Sequence, residues 1–259
     1  MVLQYILYPA LRLIRRTLFF ATPKAVSSYN SADLAKRILS ADLGNLKERT
    51  SFRCQLWQLS IGKSPNLNVL DFGGGSGRCG FERLGVDNFS WAVVETPEMA
   101  KSASELYANQ GLMFFDSIEQ AKEALGRVDV LHVSSSLQYS DNPIQTLIAL
   151  LDTAPEIVVF KKTVVTNKAT QKFRQYSFLQ DNLPGKRSRD KPVFGAVRYW
   201  LTAENQEAIF GVLNQYGFTV LEKWEDPLQS HLPFGKGLRQ MGFVAEKSLN
   251  SSGSGYAND

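Results

Sequence analysis

Four glycines and one acid carry the chemistry that the chain offers most plainly. Val69-Leu70-Asp71-Phe72-Gly73-Gly74-Gly75-Ser76-Gly77 is an apolar run with a carboxylate inside it that passes directly into a glycine-rich turn. A backbone that must lie close to a bulky polar ligand and then turn sharply into a helix has little room for side chains, and positive φ angles favour glycine there. The stretch therefore reads as a nucleotide-cofactor loop. Gly75-x-Gly77-x-x-Gly80 matches the dinucleotide fingerprint, in which a helix N-terminus accepts a pyrophosphate. Asp71, two residues before the first glycine, argues for a different ligand: a carboxylate at a strand end repels a pyrophosphate and welcomes a cation.

The spacing Asp71-x-Gly73-x-Gly75-x-Gly77 resembles the first motif of the class I S-adenosylmethionine (SAM)-dependent methyltransferases, whose cofactor carries an ammonium and a sulfonium. The resemblance implies SAM contacts from Asp71, Gly73, Gly74, Gly75 and Gly77. Glu95, closing a second apolar run Trp91–Val94, stands where a carboxylate would accept the ribose hydroxyls; otherwise it caps a helix or sits in a solvated turn. Asp116 and Ser117, at the polar end of Leu112–Ser117, are candidates for hydrogen-bonding adenine, and Ser117 equally suits the cap of the next helix. Ser134 and Ser135 follow a fourth run, Val128–Val133, and should face the methyl donor because ligands of open α/β sheets sit beyond the strands' carboxyl ends. His132, inside that run, reads as a structural histidine rather than a base.

A hydroxyl attacking a methyl carbon in line with a departing sulfur needs positioning first and a proton acceptor second. Tyr139 and Asp141, after the fourth run, and His231, in a late loop, are the candidates for that acceptor. The two histidines and two cysteines (Cys54 and Cys79) have no metal-ligand spacing, so no metal is expected; the thiols suit a reducing, cytoplasmic setting.

These residues need a frame. At 259 residues and 44% hydrophobic content, one catalytic domain is expected. Short apolar runs alternating with helical segments predict an α/β, Rossmann-like, mostly parallel seven-stranded sheet with helices on both faces. Its strands are expected at Val69–Phe72, Trp91–Glu95, Leu112–Ser117, Val128–Val133 and Ile157–Phe160, closed by an antiparallel hairpin of Phe218–Trp224 and Gly242–Lys247. The helices are expected at about 78–84, 96–106, 118–125, 143–151 and 202–216. Between them, 161–198 reads as a long irregular polar region whose basic run, Lys186 to Lys191, either meets an anion or is simply solvated. The expected organisation is an N-terminal amphipathic helix and helical cap over 1–62, the methyltransferase domain over 63–248 and a flexible tail over 249–259.

Within residues 1–20, Leu3, Leu7, Leu11, Ile14 and Leu18 share one helical face while Arg12, Arg15 and Arg16 cluster opposite. Such a helix either packs on protein or lies in the plane of an anionic membrane, giving a peripheral contact with its inner face. A further serine-capped helix starts at Ser31.

The runs Val69–Gly77, Trp91–Pro97 and Leu112–Ser117, with Ser134-Ser135-Ser136-Leu137-Gln138-Tyr139, resemble a subgroup of bacterial methyltransferases associated with surface-polysaccharide assembly. The likeness extends through Gln180 and Trp224-Glu225-Asp226-Pro227. It implies SAM-dependent methylation of a small molecule, a sugar or a glycan precursor. An Asn-Pro-Pro-Tyr segment, which often holds a target nitrogen, is missing after the fourth run, so O-methylation is preferred. Three other readings stand beside this one: a non-catalytic SAM-binding adaptor, an RNA methyltransferase suggested by the pI near 9.0, and a nicotinamide dehydrogenase. No RNA-binding module is recognisable, so nucleic acid is not expected as a partner.

Overall fold

The computed structural model of the chain describes residues 30–32, 34–36, 38–39, 67–81, 89–107, 111–178, 196–226 and 237–248. The amphipathic segment 1–20, the basic run 186–191, His231 and the tail 249–259 lie outside the described residues.

In chain order the strands are β1 (Leu67–Phe72), β2 (Phe89–Val94), β3 (Leu112–Phe115), β4 (Val130–Ser134), β5 (Ile157–Thr166), β6 (Gln171–Phe178), β7 (Ala196–Asn205), β8 (Phe218–Asp226) and β9 (Leu238–Lys247). The helices are α1 (Arg78–Phe81), α2 (Pro97–Tyr107), α3 (Ile118–Leu125), α4 (Pro143–Leu151) and α5 (Gln206–Gln215), with a 3₁₀ turn at Leu137–Tyr139. Strands β3, β2, β1, β4 and β5 pair in parallel in that order, β9 runs antiparallel along β5, and β8 pairs antiparallel with β9. This is the expected seven-stranded frame with its closing hairpin.

The central strands are apolar on both faces because helices cover both. Leu34, Leu39 and α2 (Met99, Ala100, Ala103, Tyr107) pack on Val69, Trp91, Val93, Val130 and Val159. Ala121 and Leu125 of α3, Leu147 and Leu150 of α4, and Ile209 and Leu213 of α5 pack on Leu70, Ala92, Leu131, Val158 and Phe243. Helix starts follow local chemistry. Ser117 caps α3 by accepting from the Gln120 N–H, and Asn142 caps α4, with Pro143 preset in its first turn.

The stretch 161–198, expected to be irregular, instead extends β5 and supplies most of two further strands, giving a nine-stranded sheet. The pairing explains how. Strand β4 ends opposite Lys161, where Ser134 pairs with it, but β5 continues to Thr166 and leaves an open edge. Strand β7 takes that edge in parallel through Val165↔Glu204 and Thr166↔Asn205, and β6 pairs antiparallel with β7 along eight residues. A β-bulge between Phe160 and Thr163, with Lys162 at φ 51°, redirects the end of β5. The inserted ribbon β6–β7 thus sits at the carboxyl ends of the parallel strands.

The ribbon also corrects the last helix. Thr202–Asn205 finishes β7, and α5 begins at Gln206, where the Asn205 side chain accepts from the N–H groups of Glu207 and Ala208 at 2.8 and 3.1 Å. Among the described residues no helix is long and apolar enough to cross a membrane, and no group of three or more His, Cys, Asp or Glu could hold a metal ion.

Candidate active site

In the parallel register Asp71 pairs with both Val93 and His132, so the carboxylate and the imidazole lie side by side on one face of the sheet. Both are 1% exposed. Asp71 Oδ1 lies 2.8 Å from His132 Nδ1, and Asp71 Oδ2 accepts from the Trp91 indole N–H at 3.1 Å. These two bonds fix the carboxylate in place. His132 thus orients Asp71, and it also lines the cavity beyond the strands.

Beyond β1 the chain crosses the sheet edge at Gly73, whose N–H donates to Val94 O at 2.8 Å. Gly73 has φ 68°, and a Cβ there would stand 2.2 Å from the Cβ of Ser136. The absent side chain lets the loop after β1 meet the loop after β4, where Ser136 Oγ donates to Phe72 O at 2.6 Å. Gly75 also has positive φ, but a Cβ there would find nothing within 4 Å; that position faces open space.

Glu95 follows β2 and turns back to the loop. Its Oε1 accepts from Gly75 N at 2.9 Å and its Oε2 from Thr96 N at 3.0 Å. Burial pushes its carboxyl pKa up, the N–H groups of Thr96 and Gly75 pull it partly back, and the charge of Asp71 adds a smaller upward push; the net shift is upward. Thr96 contributes a buried hydroxyl that has no hydrogen-bond partner among the described residues.

A cavity of about 660 Å³ opens where these loops meet. Its walls include Asp71, Gly73, Gly74, Gly75, Glu95, Thr96, Asp116 and His132, together with Ser134, Ser135, Ser136, Ser140 and the rings of Tyr139 and Tyr199. Ile38 and Met99 close the side, so the early helical segment does reach the site.

Four expected positions differ. Gly77 does not line the cavity; it is packed against Leu112, Phe114 and Val93, which leaves no space for a side chain. Ser117 is outside the lining because its hydroxyl serves the cap of α3. Asp141 is exposed in the turn before α4 and is not brought to the cavity. Tyr139 does reach the cavity, but burial raises its phenol pKa despite hydrogen bonds to Gln175, Gln138 and Tyr199 that lower it. It stays protonated at neutral pH and donates to Gln175 Oε1 at 3.3 Å, which suits a hydrogen-bond donor rather than a base.

Tyr199, Gln175 and Thr96 were not expected from sequence, whereas Ser136 belongs to the polar run after β4 that was. Gln175, 1% exposed, accepts from Tyr139 and donates to the Tyr199 hydroxyl at 3.1 Å, while the two tyrosine rings meet edge to face with centroids 5.1 Å apart. The signal for Tyr199 was its alternation with Leu201 and Ala203 at a period of two.

The cavity offers what a nucleoside with a cationic tail would need: carboxylates at the ends of β1, β2 and β3 to accept hydrogen bonds, and a loop whose Gly75 faces open space. No family model matches the chain, and no curated protein matches it. Solved structures do. The N-terminal domain of EvdMO1 with SAH bound has a TM-score of 0.51 at 11% identity, over 78% of this chain and 82% of that one. An S-adenosylmethionine-dependent methyltransferase from Clostridium acetobutylicum ATCC 824 has a TM-score of 0.46 at 13% identity, over 80% of this chain and 97% of that one. The glycopeptide N-methyltransferase MtfA complexed with SAM has a TM-score of 0.43 at 12% identity, over 75% and 86%. The likeness to the EvdMO1 domain is one of fold.

Proposed function

We propose that the chain is a SAM-dependent methyltransferase. The observation that supports this reading is one cavity lined by the buried, hydrogen-bonded Asp71, the Glu95 carboxylate and an open glycine loop together with hydroxyl-bearing side chains. When bound, SAM would supply an electrophilic methyl group on a sulfonium. Asp71, held by His132 and Trp91, places fixed negative charge under the loop, where a cationic amino-acid tail would be favoured. In this reading Glu95 would accept the ribose hydroxyls and Asp116 would meet adenine, with Ser134 and Ser135 beside the methyl donor.

The finer reading is O-methylation of a sugar or glycan precursor by a cytoplasmic enzyme, which the resemblance to methyltransferases of surface-polysaccharide assembly supports. Ser134–Ser136, Ser140, Tyr139 and Tyr199 offer hydroxyls and aromatic rings to the cavity, which suits a neutral polyol. Tyr139, whose proton goes to Gln175, would orient the acceptor by accepting a hydrogen bond at its phenol oxygen. His231 remains the proposed proton acceptor.

Two measurements test this. Calorimetric titration should show binding of SAM and SAH and none of NAD, lost in Asp71→Ala; preference for NAD would end the proposal. Radiolabelled methyl transfer from SAM into glycan extracts, absent with Asp71→Ala, would establish turnover. SAM binding with no transfer to any glycan fraction would favour the adaptor reading instead.

A further inference from the structure

The positive charge of this chain is concentrated. The whole sequence carries +4, yet residues 161–205 hold ten Lys or Arg against three Asp or Glu, a net +7 that leaves the remainder net negative. The described part of that stretch is the end of β5 with the inserted ribbon β6–β7. Among its described residues Lys162, Lys168, Lys172 and Arg174 are exposed. Its described acid, Glu204, is 7% exposed and accepts from the Thr170 hydroxyl.

Strand alternation sorts the ribbon into two faces. Gln175 and Tyr199 turn inward to Tyr139 and the cavity. Lys172, Arg174 and Trp200 turn outward. Trp200 is 54% exposed, and Lys172 Nζ and Arg174 Cζ lie over its ring, 5.6 and 5.8 Å from the centroid. A large aromatic left in water beside two cations, with no core beneath it, asks for a partner.

We propose that this outward face of the ribbon docks on an anionic lipid bilayer. Tryptophan favours the headgroup level, where its ring is half immersed and its N–H stays wet. Lysine and arginine close to an anionic leaflet each contribute roughly fivefold in affinity. Nucleic acid would use the same cations, but single-strand binders stack successive bases on several rings, and Trp200 is the one aromatic among the large exposed hydrophobic side chains of the described residues. The sequence repeats the chemistry at its start, where Leu3, Leu7, Leu11, Ile14 and Leu18 alternate with Arg12, Arg15 and Arg16 in a helical pattern. Two marginal membrane signals combine into stable binding where one does not. Because Tyr199 lines the cavity and Trp200 is its chain neighbour, a docked ribbon holds the acceptor end of the cavity beside the bilayer.

The test uses the full chain and sedimentation with vesicles of phosphatidylcholine alone or of equimolar phosphatidylcholine and phosphatidylglycerol. Wild type should sediment with the anionic vesicles and not with the neutral ones, and added salt should weaken binding. Lys172→Glu with Arg174→Glu should lower partitioning at least about tenfold, with an unchanged melting temperature because both sites are exposed. Dibrominated phosphatidylcholine in the anionic vesicles should quench tryptophan fluorescence in wild type, and Trp200→Phe should remove most of that quenching. Lack of binding to anionic vesicles, wild-type partitioning by the charge-reversed protein, or quenching unchanged in Trp200→Phe would each overturn the proposal. So would binding to a single-stranded RNA, weakened by the charge reversal, in a protein that ignores vesicles.

Discussion

Gly73 and Gly75 share a left-handed backbone and differ in what surrounds them, which separates two costs that glycine substitutions usually mix. At Gly75 an alanine meets nothing within 4 Å, so the penalty is the left-handed conformation alone, about 1–2 kcal/mol. At Gly73 the same methyl would stand 2.2 Å from Ser136 Cβ and force the two loops apart, breaking the Ser136–Phe72 hydrogen bond. Denaturant unfolding should show Gly75→Ala mildly destabilised with SAM binding impaired, and Gly73→Ala destabilised by roughly 2–4 kcal/mol. Equal losses would mean that the contact with Ser136 is not what requires glycine. Glu95 makes a pH prediction. Its folded pKa lies above the unfolded value, so the native state binds the extra proton; stability is full below the ordinary carboxyl range and falls as pH rises through the raised folded value. Glu95→Gln removes that slope. Melting curves from pH 4.5 upward should shift in the variant's favour as pH rises, and a parallel offset at all pH values would refute the assignment. Asp71 and Glu95 were legible because a strand running into glycines is a local pattern. The roles of Tyr199 and Gln175 depend on a ladder between distant segments, which no local pattern encodes.

Helix ends show where local chemistry decides an element and where pairing overrides it. Ser117 and Asn142 cap helices at the positions their sequences suggest, and Gly126 closes α3 at φ 71°. Thr202-Ala203-Glu204-Asn205 resembles a helix start too, yet these residues stay extended because β6 pairs with Thr202 and Ala203 while β5 pairs with Glu204 and Asn205. The helix is deferred to Gln206, and Asn205 becomes the joint: its Oδ1 caps α5 and its Nδ2 donates to Lys168 O at 2.8 Å in the turn between β5 and β6. Asn205→Ala should therefore cost about 1–2 kcal/mol, read as a fall of about 2–8 °C in melting temperature. Asn205→Asp keeps the cap and loses only the bond to Lys168, so it should recover most of that loss. If aspartate does no better than alanine, the cap is not the stabilising part.

At the scale of the molecule, the seven-stranded frame and the inserted ribbon divide the work. The parallel part of the frame was legible because each of β1 to β5 holds an apolar run separated from the next by a helix. The ribbon was not, since Lys172, Arg174 and Gln175 make β6 look like polar loop when only one of its faces packs on protein. The hydrogen bonds described around the cofactor loop lie within the frame: Gly73 to Val94, Gly75 to Glu95, Glu95 to Phe115, Asp71 to His132, Ser136 to Phe72 and Gln120 to Asp116. The ribbon contributes Tyr199 and Gln175, and a small separate cluster in which Leu201 and Ala203 pack on Val164. Thr166 and Asn205 are paired neighbours, so a gap of about 4.8 Å separates them and two glycines can replace residues 167–204. That shortened chain should fold with a lower melting temperature and bind SAH within about threefold of wild type, a difference under about 1 kcal/mol, while losing methyl transfer. A folded variant that no longer bound SAH would show that the ribbon also builds the cofactor end, and the division between frame and insertion would fall.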